Sequence, residues 1–389
     1  MSKGTLRTLL AAALALGLLA GCGSPQGSSQ GGSGGDGKVI KIGFIAPLTG
    51  DVKTFGESAR NGFRLALEEA GYKAGEFTIE VVEADDRNDP TEGKNVATRL
   101  ITQDGVKAIV GSITSKVTIP IAELANERGV VMITPTATSP KVTVDDKGNR
   151  WEFVFRACFI DPFQGTVMAK FAAEKLGAKT AAVLYDKGND YSVGLAESFR
   201  QHFEAGGGEV VAWEAYALTD TDFSAILTKV AQANPDVIYL PDYYQKVSLI
   251  GKQARERGIT APFLGGDGWD SPELDYATMA GGYFTNHYSS QDTREAVQNF
   301  VAAYEKKYGQ KPESFGALGY DATRLLLKAI EEAGSDDPAK IREALQSIKD
   351  FPAVSGNISF DENGNPIKAA AILQVQPDKT FKYIDAILP

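Results

Sequence analysis

The sequence predicts an α/β fold with two doubly wound, parallel-sheet lobes, and three observations lead to it. From Val39 onward short β-branched runs alternate with helical patterns; a second such series opens near Thr180; long helices then return at 293–308 and 315–333. Alternating strand and helix implies parallel sheets with helices on both faces. Two series with a late return of helices imply two such layered units sharing one chain.

In the first series, 39–46 reads as a strand. Residues 58–70 read as a helix, with Phe63, Ala66, Leu67 and Ala70 on one face and Gly71 ending it. A strand follows at 77–83. Asp89-Pro90-Thr91-Glu92 then starts a helix, with Asp at the cap, Pro in the first turn and Glu three residues on. Strands at 108–110 and 130–133 continue the pattern. The second series places strands at 180–184, 209–213, 236–240 and 263–265, with helices at 164–176, 191–205 and 244–257. Asn363-Gly364 is a hairpin-turn signal. Asp361, Asn363 and Asn365 are spaced like the start of a calcium loop, but Pro366 stands where that loop needs Gly, so no metal site is expected.

The N-terminus reads as an address. Lys3 and Arg7 precede a largely apolar run at 9–20, shorter than the roughly 20 residues of a membrane-spanning helix and suited to a signal-peptide core. Leu19-Ala20-Gly21-Cys22 resembles a bacterial lipobox, so Cys22 is expected to carry the lipid that anchors the chain to a membrane. Residues 24–37 are almost entirely Gly, Ser and Gln, the composition of a flexible tether. Their matches to the nucleophile-elbow and dinucleotide-binding patterns lie on no strand-to-helix turn and are composition noise.

Net charge is −10, and losing the two cations Lys3 and Arg7 takes it to −12, a balance that argues against nucleic acid as a partner. Beyond Cys22 the chain has one cysteine, Cys158, so a lipidated chain has no intramolecular disulfide; beside Phe155 and Phe159 it reads as buried. A hydrophobic content of 43% supplies the core for two lobes instead. The chain holds two histidines, His202 and His287, and neither stands by a nucleophile in a credible turn. Acid–base chemistry is not assembled; no catalytic residue, enzyme activity or cofactor is expected.

Ligands of open parallel sheets sit beyond the carboxyl ends of the strands. Those loops carry Ile42-Gly43-Phe44 through Pro47-Leu48-Thr49-Gly50 with Phe55-Gly56, then Asp85-Asp86, Asp89-Pro90, Val110-Gly111 with Ser115, and Ile133-Thr134-Pro135 with Ala137-Thr138. The second series adds Arg156, Asp161, Gln164-Gly165, Tyr191-Ser192, Asp222-Phe223 and Gly265-Gly266-Asp267-Gly268. In this order, from Val39 to the C-terminus, the set resembles the type I periplasmic binding proteins of ABC transporters, in their branched-chain amino-acid branch. The resemblance implies two lobes joined by three hinge crossovers, with the first formed by 39–159 and 288–365 and the second by 160–287 and 366–389, after a signal segment at 1–22 and a linker at 23–38. It implies closure on a small amino acid, a permease partner in the membrane and a monomer located outside the cytoplasm; the alternative is a sensing module of the same fold that binds an amino acid or small amide.

The same resemblance carries roles onto residues. Ser115 would meet the ligand carboxylate. Thr136, Ala137 and Thr138 would offer backbone and hydroxyl contacts. Tyr243 and Asp267 would serve from the second lobe, with the acid facing the ligand ammonium. Phe55, Ile113, Thr114, Tyr191 and Phe315 would line the side-chain pocket, with Trp269 beside them. Elementary physics agrees with part of this. Ser115 precedes a helical run, whose free amides favour an anion. Asp267, in a Gly-rich loop free of local basic partners, would need a cation in a closing cleft. Taken singly, Ser115 reads as a helix cap, Asp267 as a turn residue and the aromatics as core. Asp267 and Phe55 depart from the residues usual at those positions, as does Lys116 beside Ser115. The apolar lining points to an aliphatic or aromatic side chain.

Overall fold

The computed structural model describes residues 38–388; the signal segment, Cys22 and the linker up to Gly37 lie outside the described residues. The first sheet contains β1 (Val39–Ala46), β2 (Lys73–Ala74), β3 (Phe77–Asp85), β4 (Ala108–Val110), β5 (Val131–Thr134) and β6 (Val154–Arg156), in the order β2-β3-β1-β4-β5-β6. Helices α1 (Lys53–Glu69), α2 (Pro90–Arg99) and α3 (Ser115–Arg128) connect them. Val39 pairs with Thr78 and Ile42 with Ala108 in parallel register. Ile40, Ile42, Phe44, Ile45 and Ala46 are all buried, as befits a parallel strand covered on both faces.

The second half begins with α4 (Asp161–Lys170). It continues through β7 (Thr180–Asp186), α5 (Asp190–Ala205), β8 (Glu209–Tyr216), α6 (Ser224–Ala233) and β9 (Val237–Tyr239). Next come α7 (Tyr244–Glu256), β10 (Phe263–Gly265), α8 (Tyr276–Met279) and β11 (Tyr283–Asn286). Helices α9 (Glu295–Tyr308), α10 (Ser314–Ala333) and α11 (Pro338–Ser347) precede β12 (Ala370–Val375) and β13 (Phe381–Ile387). The sheet order is β13-β12-β11-β10-β9-β7-β8.

Both sheets are mixed rather than purely parallel. β2 runs antiparallel to β3, and β12 and β13 close the second sheet as an antiparallel pair. β2 is two residues long, and the β12–β13 pair lies outside both alternating strand–helix series, so the alternation alone predicts parallel sheets.

The chain leaves the first sheet between β6 and α4, returns after β11 to pack α9 and α10 on α1, and crosses again into β12. These passages are the three crossovers. Helix α2 starts as its sequence predicts, with the Asp89 side chain accepting from the Glu92 amide at 2.8 Å. Helix α1 starts at Lys53, five residues ahead of the predicted 58, because Gly56 lets its first turn lie on Pro47. A Cβ on Gly56 would sit 2.0 Å from the Pro47 carbonyl oxygen. That early turn carries Phe55 to the strand ends. α1 and α10 meet backbone to backbone: a Cβ on Gly62 would lie 1.9 Å from Gly316 O. No helix among the described residues is long and apolar enough to cross a membrane.

Candidate functional site between the two sheets

Each sheet reverses its strand order once, between β1 and β4 in the first and between β7 and β9 in the second. Loops diverge at such points and open a crevice. The two crevices face each other: Phe55, just beyond β1, meets Tyr243, just beyond β9, edge-on at 5.7 Å between ring centroids. Direct contacts join the halves there. Tyr244 OH donates to Asp51 O at 2.9 Å, the Thr54 and Ser271 hydroxyls lie 3.1 Å apart, and Ser314 N donates to Asp270 Oδ2 at 2.8 Å.

On the first side α3 begins at Ser115, directly after β4. Its ladder opens with Val117 N donating to Thr114 O at 3.2 Å, so the Ser115 and Lys116 amides stand ahead of the intrahelical bonds and carry the positive end of the helix. Ser115 Oγ accepts from Ser139 N at 3.1 Å, tying the helix start to the loop after β5. In that loop the Thr136 hydroxyl donates to Ile113 O at 2.7 Å. Arg156 holds the loop from behind: Nη1 donates to Ala137 O at 2.8 Å and Nη2 to Ser139 O at 2.9 Å. Cys158 Sγ reaches Ala137 O as well, and burial pushes its thiol up to about 12, which makes it a structural thiol. The Thr114 hydroxyl is committed to Asn88 Oδ1 at 2.7 Å.

On the second side Asp267 follows β10. Its Oδ1 accepts from Gln164 Nε2 at 3.0 Å and from Tyr191 OH at 2.9 Å. Its Oδ2 lies 3.0 Å from His287 Nε2. Asp267 has no basic partner close to it in sequence, as expected, but His287, which follows β11, meets it across the fold. A second acid stands close by. Asp161, the first residue of α4, donates its amide to Thr138 O at 3.0 Å, yet neither carboxylate oxygen has a hydrogen bond of normal geometry. The Thr138 hydroxyl stands close enough to favour the charged form. Burial, reinforced by the charge of Asp267, pushes the Asp161 carboxyl well above the usual range, against the pull of Thr138 and Arg156. The Tyr239 hydroxyl is likewise buried without a partner.

Aromatic rings stack within each side, and the Phe55–Tyr243 edge contact joins the two stacks. Phe55 stacks on Phe315 with centroids 3.9 Å apart, and Tyr243 stacks on Tyr191 at 5.2 Å. Ser115, Thr136, Ala137, Thr138, Asp267, Tyr191, Phe55, Ile113, Thr114 and Phe315 are all at most 4% exposed. Trp269 goes elsewhere. Its indole N–H donates to Leu240 O at 3.1 Å, and its ring packs on Gly265, Gly282 and Phe284, so it belongs to the packing around β10 and β11 rather than to the ring of pocket residues. Lys116 lines a 310 Å³ cavity at the mouth of the cleft together with Asp51, Asp186, Asp242 and Tyr243. A larger cavity, 670 Å³, lies at the crossovers, with His287 and Lys368 in its wall. Among the described residues no group of three metal-binding side chains occurs, and Asp361 closes a turn by accepting from the Asn363 and Asn365 amides, both at 2.8 Å.

The model of the periplasmic binding protein family matches residues 39–380, nearly all of the described chain. The chain belongs to that family. Among curated periplasmic binding proteins it is 34% identical to a Leu/Ile/Val-binding protein homologue of Brucella melitensis, over 84% of this chain and 88% of the relative. Among solved structures it is similar to a leucine-binding protein of Thermotoga maritima, at 41% identity and a TM-score of 0.86, covering 90% of this chain and 99% of the other. A branched-chain amino-acid binding protein of Streptococcus pneumoniae, solved with isoleucine, is 34% identical with a TM-score of 0.84, over 90% and 100% of the two chains. Membership makes the chain a binding protein and not an enzyme. Of the two histidines, His202 leans on Thr166 and on Ser198 of its own helix, while His287 meets Asp267.

Asp161 and His287 are the site residues that sequence reasoning missed. Asp161 is among the residues that carry the resemblance but is given no binding role by it, and no local signal shows that its oxygens would be left without donors of normal geometry. His287 is brought to Asp267 by pairing between β10 and β11, a relation no spacing rule displays.

Proposed function

We propose that this protein is the extracytoplasmic solute receptor of an ABC importer, lipid-anchored through Cys22, and that it binds a small apolar amino acid, of the branched-chain type, between its two lobes. The lobes are 39–159 with 288–365 and 160–287 with 366–389. The ligand carboxylate lies against Ser115, the first amides of α3 and Thr138. The ammonium faces the Thr136–Thr138 loop and the acids Asp161 and Asp267. Phe55, Ile113, Tyr191, Tyr243 and Phe315 enclose the side chain. The observation that carries this reading is the pair of buried carboxylates, one of them without a hydrogen bond of normal geometry, opposite a helix start with free amides. A dipolar guest satisfies both at once. The names of the leucine- and isoleucine-binding relatives support the choice of side chain.

Calorimetry on the purified protein tests it. L-leucine, L-isoleucine or L-valine should bind; 4-methylpentanoate, which lacks the amine, and isopentylamine, which lacks the carboxylate, should bind at least about a hundredfold more weakly, because each leaves one buried anchor unpaired. Asp267→Ala should cost roughly 2–5 kcal/mol of binding. Equal binding of the amine-free acid would overturn the assignment of both acids.

A further inference from the structure

His287 has a place in the site that its isolation in the sequence does not suggest. It is 3% exposed, its Nε2 lies 3.0 Å from Asp267 Oδ2, and its Nδ1 is buried with no hydrogen-bond partner. A carboxylate only accepts, so the contact requires the proton on Nε2. A proton on Nδ1 as well would create a buried, unsatisfied donor. The geometry thus fixes one tautomer, and with it a neutral ring. Burial agrees, pushing the imidazole down to about 4 despite the neighbouring Asp267, and the Lys368 charge acts in the same direction.

The ring also belongs to the hinge. His287 opens the second crossover and stacks on Phe159 of the first, with centroids 3.8 Å apart. Lys368 of the third crossover donates to Ala157 O at 3.2 Å and Ser355 Oγ at 2.6 Å in the same region. A cationic partner for Asp267 would cancel the charge that a ligand ammonium needs. A neutral donor orients the carboxylate without cancelling it.

We propose that His287 is a positioning residue for ligand binding: a neutral Nε2–H donor, mounted in the hinge, that turns the Asp267 carboxylate toward the cleft and leaves its charge available to the ligand ammonium. This rests on the proposed role of Asp267. His287→Phe keeps the stack on Phe159 and removes the donor, whereas His287→Gln restores an N–H at similar reach. L-leucine should bind His287→Phe about tenfold or more weakly than the parent and His287→Gln within about threefold of it. With two histidines in the chain, ¹⁵N-histidine spectra are readily assigned, using a His202→Gln variant as control. The spectra should show His287 as the Nε2–H tautomer in the parent and a shifted ring signal in Asp267→Asn. An Nδ1–H tautomer, or His287→Phe binding as tightly as the parent while Asp267→Asn binds weakly, overturns the inference alone. Asp267→Asn binding like the parent, or no binding by the parent, overturns the proposed site and the inference with it.

Discussion

The two sides of the cleft bury polar groups in opposite ways. On the first side the hydroxyls are neutral and engaged within the protein, with the first α3 amides left open: Ser115 Oγ accepts from Ser139 N, the Thr136 hydroxyl serves Ile113 O, and the backbone loop hangs on the Arg156 guanidinium behind it. On the second side two acids are buried near one another, one with three partners and one with none. A neutral, pre-ordered surface costs little to keep empty. An unpartnered carboxyl is costly until a cation or a proton arrives. The contrast implies that the first side supplies shape and register while the second supplies most of the dependence on ligand.

The largest break in that contrast should come from Arg156→Met, which strips the support from the neutral side. Two loop carbonyls and the Thr143 hydroxyl lose a buried donor, and urea denaturation should show a loss of about 3–5 kcal/mol; a loss below about 1 kcal/mol would remove Arg156 from this role. Asp161→Asn comes next and attacks the charged side without disturbing packing: affinity for L-leucine should fall by roughly 100-fold, near 3 kcal/mol. It also carries a pH signature. With its carboxyl pushed well above the usual range, the empty site favours the protonated acid, and an arriving ammonium expels that proton. Binding by the parent should therefore release protons and tighten as pH rises, read by calorimetry in buffers of different ionisation enthalpy, while Asp161→Asn releases fewer. The smallest effect is expected from Thr54→Val, which removes one hydroxyl contact between the halves and should weaken binding by less than about tenfold.

The contrast also marks how far the sequence could be read. Strand runs such as 39–46 and 108–110, and the Asp89 cap, are local signals, and they place the elements and the strand ends where the site lies. Ser115 at its helix start is local too. What escaped is decided by contact across the fold. Gln164 and Tyr191 are 103 and 76 residues from Asp267, and nothing in its neighbourhood shows that they will fill its lone pairs. The start of α1 depended on how closely Gly56 approaches Pro47. The direction taken by Trp269 depended on the gap above Gly265 and Gly282, spaces that exist only once the second sheet is assembled.

The close seating of α10 on α1 has a consequence for biogenesis. Ala59, Gly62, Leu65 and Ala66 on α1 lie against a helix that begins more than two hundred residues later in the chain, at Ser314. A nascent polypeptide halted at the second crossover would present that greasy stripe bare, and the first sheet would lack its cover. Contacts so distant in sequence slow folding, so the chain stays unfinished until almost all of it is available.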